Sequence, residues 1–124
     1  MILIDTNIFI EFYKNNPKIC EILENIDLQK IVVSDVVCAE LYFGARNKQE
    51  LAATIADMKK LTVLSISSQI SKLAVDLVKQ YCLSHKLKLP DAQIAAIALF
   101  YDAELFTLNR KDFQYIPNLK LYQV

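Results

Sequence analysis

The sequence predicts an α/β fold in which a mostly parallel sheet carries helices on both faces. Short apolar segments of strand length alternate along the chain with longer segments of helical periodicity. The strand segments lack polar alternation, which is typical of a sheet that is covered on both sides. One glycine and three prolines in 124 residues are too few for a loop-rich or all-β protein.

Four segments have the length and composition of buried strands, and a fifth is a possible short strand. They are residues 1–4, 31–33, 61–64, 104–107 and, for the fifth, 120–122. Polar residues follow or end the first four strands, at Asp5, Ser34, Ser65 and Thr107. Ligands of open parallel sheets bind beyond the carboxyl ends of the strands, so we expect the functional site at this edge.

The segments between the strands predict six helices. They cover residues 6–13, a segment from Asn16-Pro17 through Ile26, 35–46, a segment through Leu51, Ile55 and Met58, 67–84 and 91–101. Pro17 suits a first helical position, and Ser34 can cap the third helix. Leu89 precedes a proline, which predicts extended backbone just before the last helix.

Composition limits the classes of protein to which this chain can belong. Hydrophobic residues make up 54% and charged residues 23%, which excludes disorder and predicts one domain over residues 1–124. With 14 basic and 14 acidic residues the net charge is zero, so nucleic acid would be bound locally. The apolar amino terminus lacks a basic leader and no segment is long enough for a membrane span, so we expect a soluble, cytoplasmic protein. The cysteines, Cys20, Cys38 and Cys82, are distant and lie among apolar residues, which predicts buried, reduced thiols.

Three carboxylates, Asp5, Glu40 and Asp91, lie among apolar residues that favour burial. None has a lysine at helical spacing within a predicted helix, and burying unpaired carboxylates together is costly. A divalent cation would offset that cost, and oxygen ligands without histidine or cysteine suit Mg²⁺ or Mn²⁺. The structural alternatives are a helix cap for Asp5 and a favourable helix-dipole position for Asp91. Glu40 has no such alternative.

Further polar residues follow the fourth strand. Asn109 and Asp112 could each supply another oxygen ligand or hold a water, and Arg110 and Lys111 could contact a phosphate. An ordinary polar turn is the structural alternative. His85, the only histidine, lies in a polar segment and is predicted to be on the surface. There is no glycine-rich phosphate loop, since Gly44 is the only glycine.

Four motifs occur in order along the chain: Asp5-Thr-Asn, Glu40-Leu-Tyr-Phe-Gly-Ala, Leu89-Pro-Asp-Ala-Gln-Ile-Ala-Ala and Thr107-Leu-Asn-Arg-Lys-Asp-Phe. Together they resemble the PIN-domain ribonucleases, specifically the small VapC-type toxins of toxin–antitoxin pairs. The resemblance covers essentially the whole chain. It implies a three-layer α/β/α sandwich with a central, mostly parallel sheet of four to five strands.

The resemblance also implies cleavage of RNA that depends on Mg²⁺ or Mn²⁺. Asp5, Glu40 and Asp91 match the three core acidic positions of the family. The fourth acidic position matches Asp112, with Asn109 as a possible contributor. The polar pair of the first motif, Thr6 and Asn7, matches residues that support the site without binding the metal.

Partners follow from the same resemblance. RNA phosphates would contact local basic residues, namely Arg46, Lys48, Arg110 and Lys111. A cognate antitoxin would inhibit the enzyme by placing an arginine or lysine among the carboxylates. We expect a homodimer, partly from five aromatic residues near two helices: Phe9, Phe12, Tyr13, Tyr42 and Phe43. The alternatives are a PIN nuclease of RNA maturation and a catalytically inactive PIN-like interaction domain.

Overall fold

A computed structural model describes all residues, 1–124, and its five strands form one parallel sheet. The strands are β1 (Ile2–Ile4), β2 (Ile31–Ser34), β3 (Thr62–Leu64), β4 (Glu104–Phe106) and β5 (Lys120–Leu121). Their order is β3-β2-β1-β4-β5, and each neighbouring pair is parallel. The predicted fold class is therefore confirmed, and the sheet is parallel throughout.

Six helices connect the strands: α1 (Thr6–Tyr13), α2 (Pro17–Glu24), α3 (Asp35–Phe43), α4 (Lys48–Lys59), α5 (Ser68–His85) and α6 (Leu89–Tyr101). Three predicted boundaries were wrong. Helix α2 ends at Glu24 and does not reach Ile26. Helix α3 ends before Gly44 and does not reach Arg46. Helix α6 begins at Leu89, and the extended backbone falls on Lys88, with φ −95° and ψ 158°. Pro90 fits inside the first turn because the N–H groups there have no partner within the helix.

The strand order reverses at β1, the central strand. Crossovers between parallel strands are right-handed, so the connections from β1 to β3 leave the sheet on one face. The connection from β3 back to β4 then crosses the opposite face and carries α5 and α6. The reversal creates a crevice between the carboxyl ends of β1 and β4, where ligands of such sheets bind.

The core is built around β1 and α6. All three residues of β1 are buried, and residues 94–98 of α6 are each at most 1% exposed. The alanines of α6 allow close packing against α5. Of the cysteines, which are all free, Cys38 is buried as predicted, but Cys20 is half-buried and Cys82 is exposed. No helix combines the length and the hydrophobicity that a bilayer span requires.

Ser34 fixes the start of α3, and this contact predicts a measurable loss of stability. Its hydroxyl is fully buried and accepts a hydrogen bond from the Val37 N–H at 3.0 Å. We expect Ser34→Ala to lower the free energy of unfolding by about 1–3 kcal/mol, because it leaves a buried N–H without a partner. Urea denaturation with an unchanged m-value measures this effect.

The matched control is Ser67→Ala, which removes the equivalent cap of α5. Ser67 is exposed and its hydroxyl accepts from the Ile70 N–H at 3.2 Å, where water can replace it. An equal loss in the two variants would contradict the role assigned to burial at Ser34.

Candidate active site

Asp5 lies buried at the carboxyl end of β1 and also caps α1. One carboxylate oxygen, Oδ1, accepts from the Thr6 N–H at 2.8 Å. The other, Oδ2, accepts from the Thr107 hydroxyl at 2.8 Å and from the Asn7 amide at 3.3 Å. Burial raises the pKa of Asp5, although these three hydrogen bonds oppose the shift. The carboxylate is therefore fixed in position by its donors and lacks a charged partner.

Thr107 joins β1 to β4 at the crevice and was not predicted as a site residue. Its hydroxyl donates to Asp5 and accepts from the Asn7 amide at 3.2 Å and from the Asn109 N–H at 3.1 Å. Asn7 in turn accepts from the Leu108 N–H at 3.0 Å. The available sequence signal was a polar residue at the end of an apolar strand. The sequence placed Thr107 and Asp5 at the same edge of the sheet, but it did not indicate that their strands are neighbours.

Glu40 lies on α3 and faces the same edge of the sheet. The Thr6 hydroxyl donates to its Oε1 at 3.2 Å. Glu40 is exposed, so the expectation that it is buried was wrong. It borders a cavity of about 560 Å³ between α1, α3 and α4, whereas Val37 and Cys38 of the same helix are buried in the core. Partial desolvation, and then the charge of Asp5, raise its pKa.

Asp91 lies half-buried in the first turn of α6. Its pKa is raised to about 6, first by desolvation and then by the charges of Asp5, Asp112 and Glu40. Lys88 has a smaller, opposite effect. The four predicted carboxylates therefore act on one another electrostatically, although they come from four separate parts of the chain.

The two candidates for the fourth position differ in the structure. Asp112 contributes to the raised pKa of both Asp5 and Asp91, and it lines a cavity together with Asp91. The Asn109 backbone N–H binds Thr107, whereas no hydrogen bond involves the Asn109 side chain. The geometry favours Asp112 as the fourth acidic residue.

The basic residues lie around the site, and none of them neutralises it. The ion pairs of the structure are Arg46–Glu50, Lys60–Asp57, Lys79–Asp76 and Lys120–Asp102. Among the predicted phosphate contacts, Arg46 shares the larger cavity with Glu40 but is paired with Glu50 at 2.8 Å. Arg110 donates to the Tyr122 carbonyl at 3.2 Å, and Lys48 and Lys111 are exposed. The four acidic side chains thus have no ion-pair partner.

The donor set suits a hard divalent cation, because it consists of carboxylate oxygens without histidine or cysteine. As the side chains are placed, no three Asp, Glu, His or Cys residues converge closely enough to hold one ion. Mutual repulsion favours such separation. A cation would need to draw the carboxylates together by rotation of their side chains, and its charge would offset the repulsion.

Comparisons with known proteins identify similar sequences and structures. The sequence matches the family model described as PIN domain over residues 2–119. It is 31% identical to Ribonuclease VapC19 of Mycobacterium tuberculosis, covering 97% of this chain and 98% of that one. It is 34% identical to Ribonuclease VapC1 of Haemophilus influenzae, covering 95% and 93%. A toxin–antitoxin complex from Klebsiella pneumoniae contains a chain with 31% identity and a TM-score of 0.82, with full coverage of both chains. These findings confirm the resemblance inferred from the motifs.

The raised pKa of Asp91 predicts how the metal-free protein responds to pH. The folded-state pKa is about 6 and the ordinary value is 3.8, so the folded protein binds more protons between these values. Stability should therefore fall as pH rises from about 4 to about 6, and Asp91→Asn should reduce that fall. Melting temperatures measured in EDTA across this range test the expectation.

Asp76→Asn is the control for the change of charge, since Asp76 is exposed on α5. It should retain the pH dependence of the wild type. If Asp91→Asn also keeps the pH dependence of the wild type, the other carboxylates do not raise the pKa of Asp91.

Proposed function

Since the chain belongs to the PIN domain family, we propose that it is the endoribonuclease toxin of a toxin–antitoxin pair and that its activity depends on Mg²⁺ or Mn²⁺. The observation that carries the proposal is the group of four interacting carboxylates without ion-pair partners at the crevice between β1 and β4. The similarity to VapC ribonucleases over almost the whole chain supports the same activity. No observation favours the RNA-maturation or inactive alternatives.

Asp5 and Asp91 are the principal residues that would hold the cation, with Glu40 and Asp112 completing the set. Asp5 is oriented before any ligand binds, because its three hydrogen-bond donors fix the carboxylate. When bound, the cation would supply Lewis-acid stabilisation of the charge that develops on the phosphate oxygens.

The chain's own residues would direct the attacking water. Glu40 is exposed and held through Oε1 by Thr6, so its other oxygen is free to accept a proton from water. Asp112 is exposed, lines a cavity with Asp91 and is the second candidate for this role. Thr6 and Asn7 serve as positioning residues, since each donates to an acidic side chain. Thr107 joins them in this role.

The phosphate backbone of RNA would contact basic residues at the rim. Lys48 and Lys111 are exposed and outside the ion pairs of the structure. Arg46 would have to share its guanidinium between Glu50 and a phosphate. Arg110 is the weakest candidate, because it binds the Tyr122 carbonyl. Local contacts of this kind are compatible with a net charge of zero.

Self-association remains part of the proposal. Of the five aromatic residues considered for an interface, Phe9 is core and Phe12 and Tyr42 are partly buried. Tyr13 and Phe43 remain, with 41% and 93% of their surfaces exposed. A homodimer would cover this surface at Phe43.

Asp91→Asn should reduce RNA cleavage by at least about 10²-fold, the scale of losing one preorganised electrostatic group. The fold should persist, since the substitution removes repulsion and leaves the packing of α6 unchanged. Cleavage of total RNA, followed by sequencing of new 5′ ends, measures the loss. EDTA should abolish wild-type cleavage, and added Mg²⁺ or Mn²⁺ should restore it.

The control variant is again Asp76→Asn, which changes the same charge at an exposed site. It should cleave like the wild type. Near-normal cleavage by a folded Asp91→Asn protein would remove Asp91 from the active site.

A small antitoxin encoded beside this gene should copurify with the protein, suppress cleavage and restore growth of the host. The larger cavity offers apolar side chains such as Ile10 and Leu41 next to Glu40, which supports a partner segment that carries one basic residue. Replacing that arginine or lysine in the partner should restore cleavage while leaving most of the complex intact, because apolar burial dominates affinity. A partner that binds without reducing cleavage would favour the RNA-maturation role instead.

A further inference from the structure

A second cavity adjoins the carboxylates, and its other lining residues have no part in the proposed mechanism. It measures about 270 Å³ and is bordered by Asp91 and Asp112 on one side. The remaining wall includes His85 and Tyr115 together with Lys86 and Lys88. The cavity thus combines an aromatic surface and two basic residues beside the catalytic carboxylates.

The aromatic side chains form a preformed stack. The rings of His85 and Tyr115 are nearly parallel, with centroids 3.7 Å apart and an interplanar angle of 10°. The ring of Tyr81 is inclined by 72° to His85 and by 63° to Tyr115, and the Ser84 hydroxyl lies 2.8 Å from His85 Nδ1. Tyr115 is half-buried, whereas His85 is exposed. The imidazole ring therefore presents a braced, flat surface to solvent at the cavity.

Lys86 occupies a backbone conformation that disfavours lysine. It ends α5 in the left-handed region, with φ 55° and ψ 36°. The other non-glycine residues with positive φ are Asn15, Asp102 and Asn118, which are types that tolerate this region. Glycine would relieve the strain at this helix end. Helices commonly end in this conformation, but usually with glycine or asparagine, so a lysine here is unusual. Lys86 also lines the cavity beside Asp91 and Asp112.

We propose that His85, Tyr115 and Lys86 form a nucleotide subsite for the single-stranded RNA that enters the active site. A nucleobase next to the scissile phosphate stacks on the exposed ring of His85, which Tyr115 supports from behind. The adjoining phosphate contacts Lys86, with Lys88 nearby. Stacking on aromatic rings beside basic residues is the common chemistry of single-strand binding. The subsite rests on the proposed ribonuclease function, since it binds the substrate of that activity.

Steady-state cleavage of a fluorescein-labelled pool of random 12-nucleotide RNAs, with Mg²⁺ or Mn²⁺ present, tests the stacking surface. His85→Leu should raise KM about tenfold and leave kcat nearly unchanged, because stacking contributes equally to substrate and transition-state binding. His85→Phe should retain a KM within about twofold of the wild type, since it keeps a flat ring.

Lys86→Gly tests whether Lys86 contacts an RNA phosphate or contributes only to the stability of the fold. The substitution should raise the melting temperature by relieving backbone strain, yet it should weaken RNA binding. The slope of log(kcat/KM) against log salt concentration should fall in magnitude by about 0.7, the value for one phosphate contact to a single strand. Asn118→Gly relieves a similar conformation, with φ 68°, outside the cavity and should leave the slope unchanged.

The outcomes separate this subsite from the ribonuclease function itself. If the wild type cleaves and Asp91→Asn does not, while His85→Leu and Lys86→Gly keep wild-type KM and salt dependence, the subsite is refuted and the ribonuclease function stands. Equal losses in His85→Leu and His85→Phe would also refute stacking. If the folded wild type cleaves no RNA in Mg²⁺ or Mn²⁺, the ribonuclease function and the subsite both fail.

Discussion

The arrangement of the whole site depends on the buried carboxylate of Asp5. It follows the central strand, caps α1 and accepts hydrogen bonds from three residues, of which Thr107 directly follows β4. These contacts join the two strands between which the strand order reverses. The other carboxylates reach the same crevice through α3, α6 and the loop after β4, so their electrostatic coupling depends on the position of Asp5.

The four clustered carboxylates repel one another, and this repulsion affects both their pKa values and the groups that the site can bind. Burial and mutual repulsion raise the pKa of Asp5, Glu40 and Asp91, and the chain supplies no arginine or lysine pair to relieve them. A cation or a basic residue from another protein would relieve the same repulsion. The catalytic cation and an inhibitory partner would therefore both bind by relieving the repulsion among these carboxylates.

Particular residues show where reasoning from sequence succeeds. Short, largely apolar segments and their polar ends predicted every strand within about two residues. The pattern is strongest in β1 and β2, which are buried on both faces. The expectation that the third strand is buried was wrong for Thr62 and Val63, which are exposed because β3 lies at the edge of the sheet. Asp5, Glu40 and Asp91 were identified because carboxylates among apolar residues are rare without a function. Glu40 shows the limit of that argument: its neighbours are apolar, yet the side chain is exposed at a cavity. Consecutive residues of a helix lie on different faces, so an exposed residue can directly follow or precede a buried one.

The sequence by itself determined the α/β class and identified the acidic residues of the candidate site. These features follow from local patterns and from general rules of chain topology. Only the tertiary structure decided that Thr107 holds Asp5 and that His85 stacks on Tyr115. In both cases the partners are far apart in sequence. Side-chain direction depends on such packing, which residue spacing does not encode.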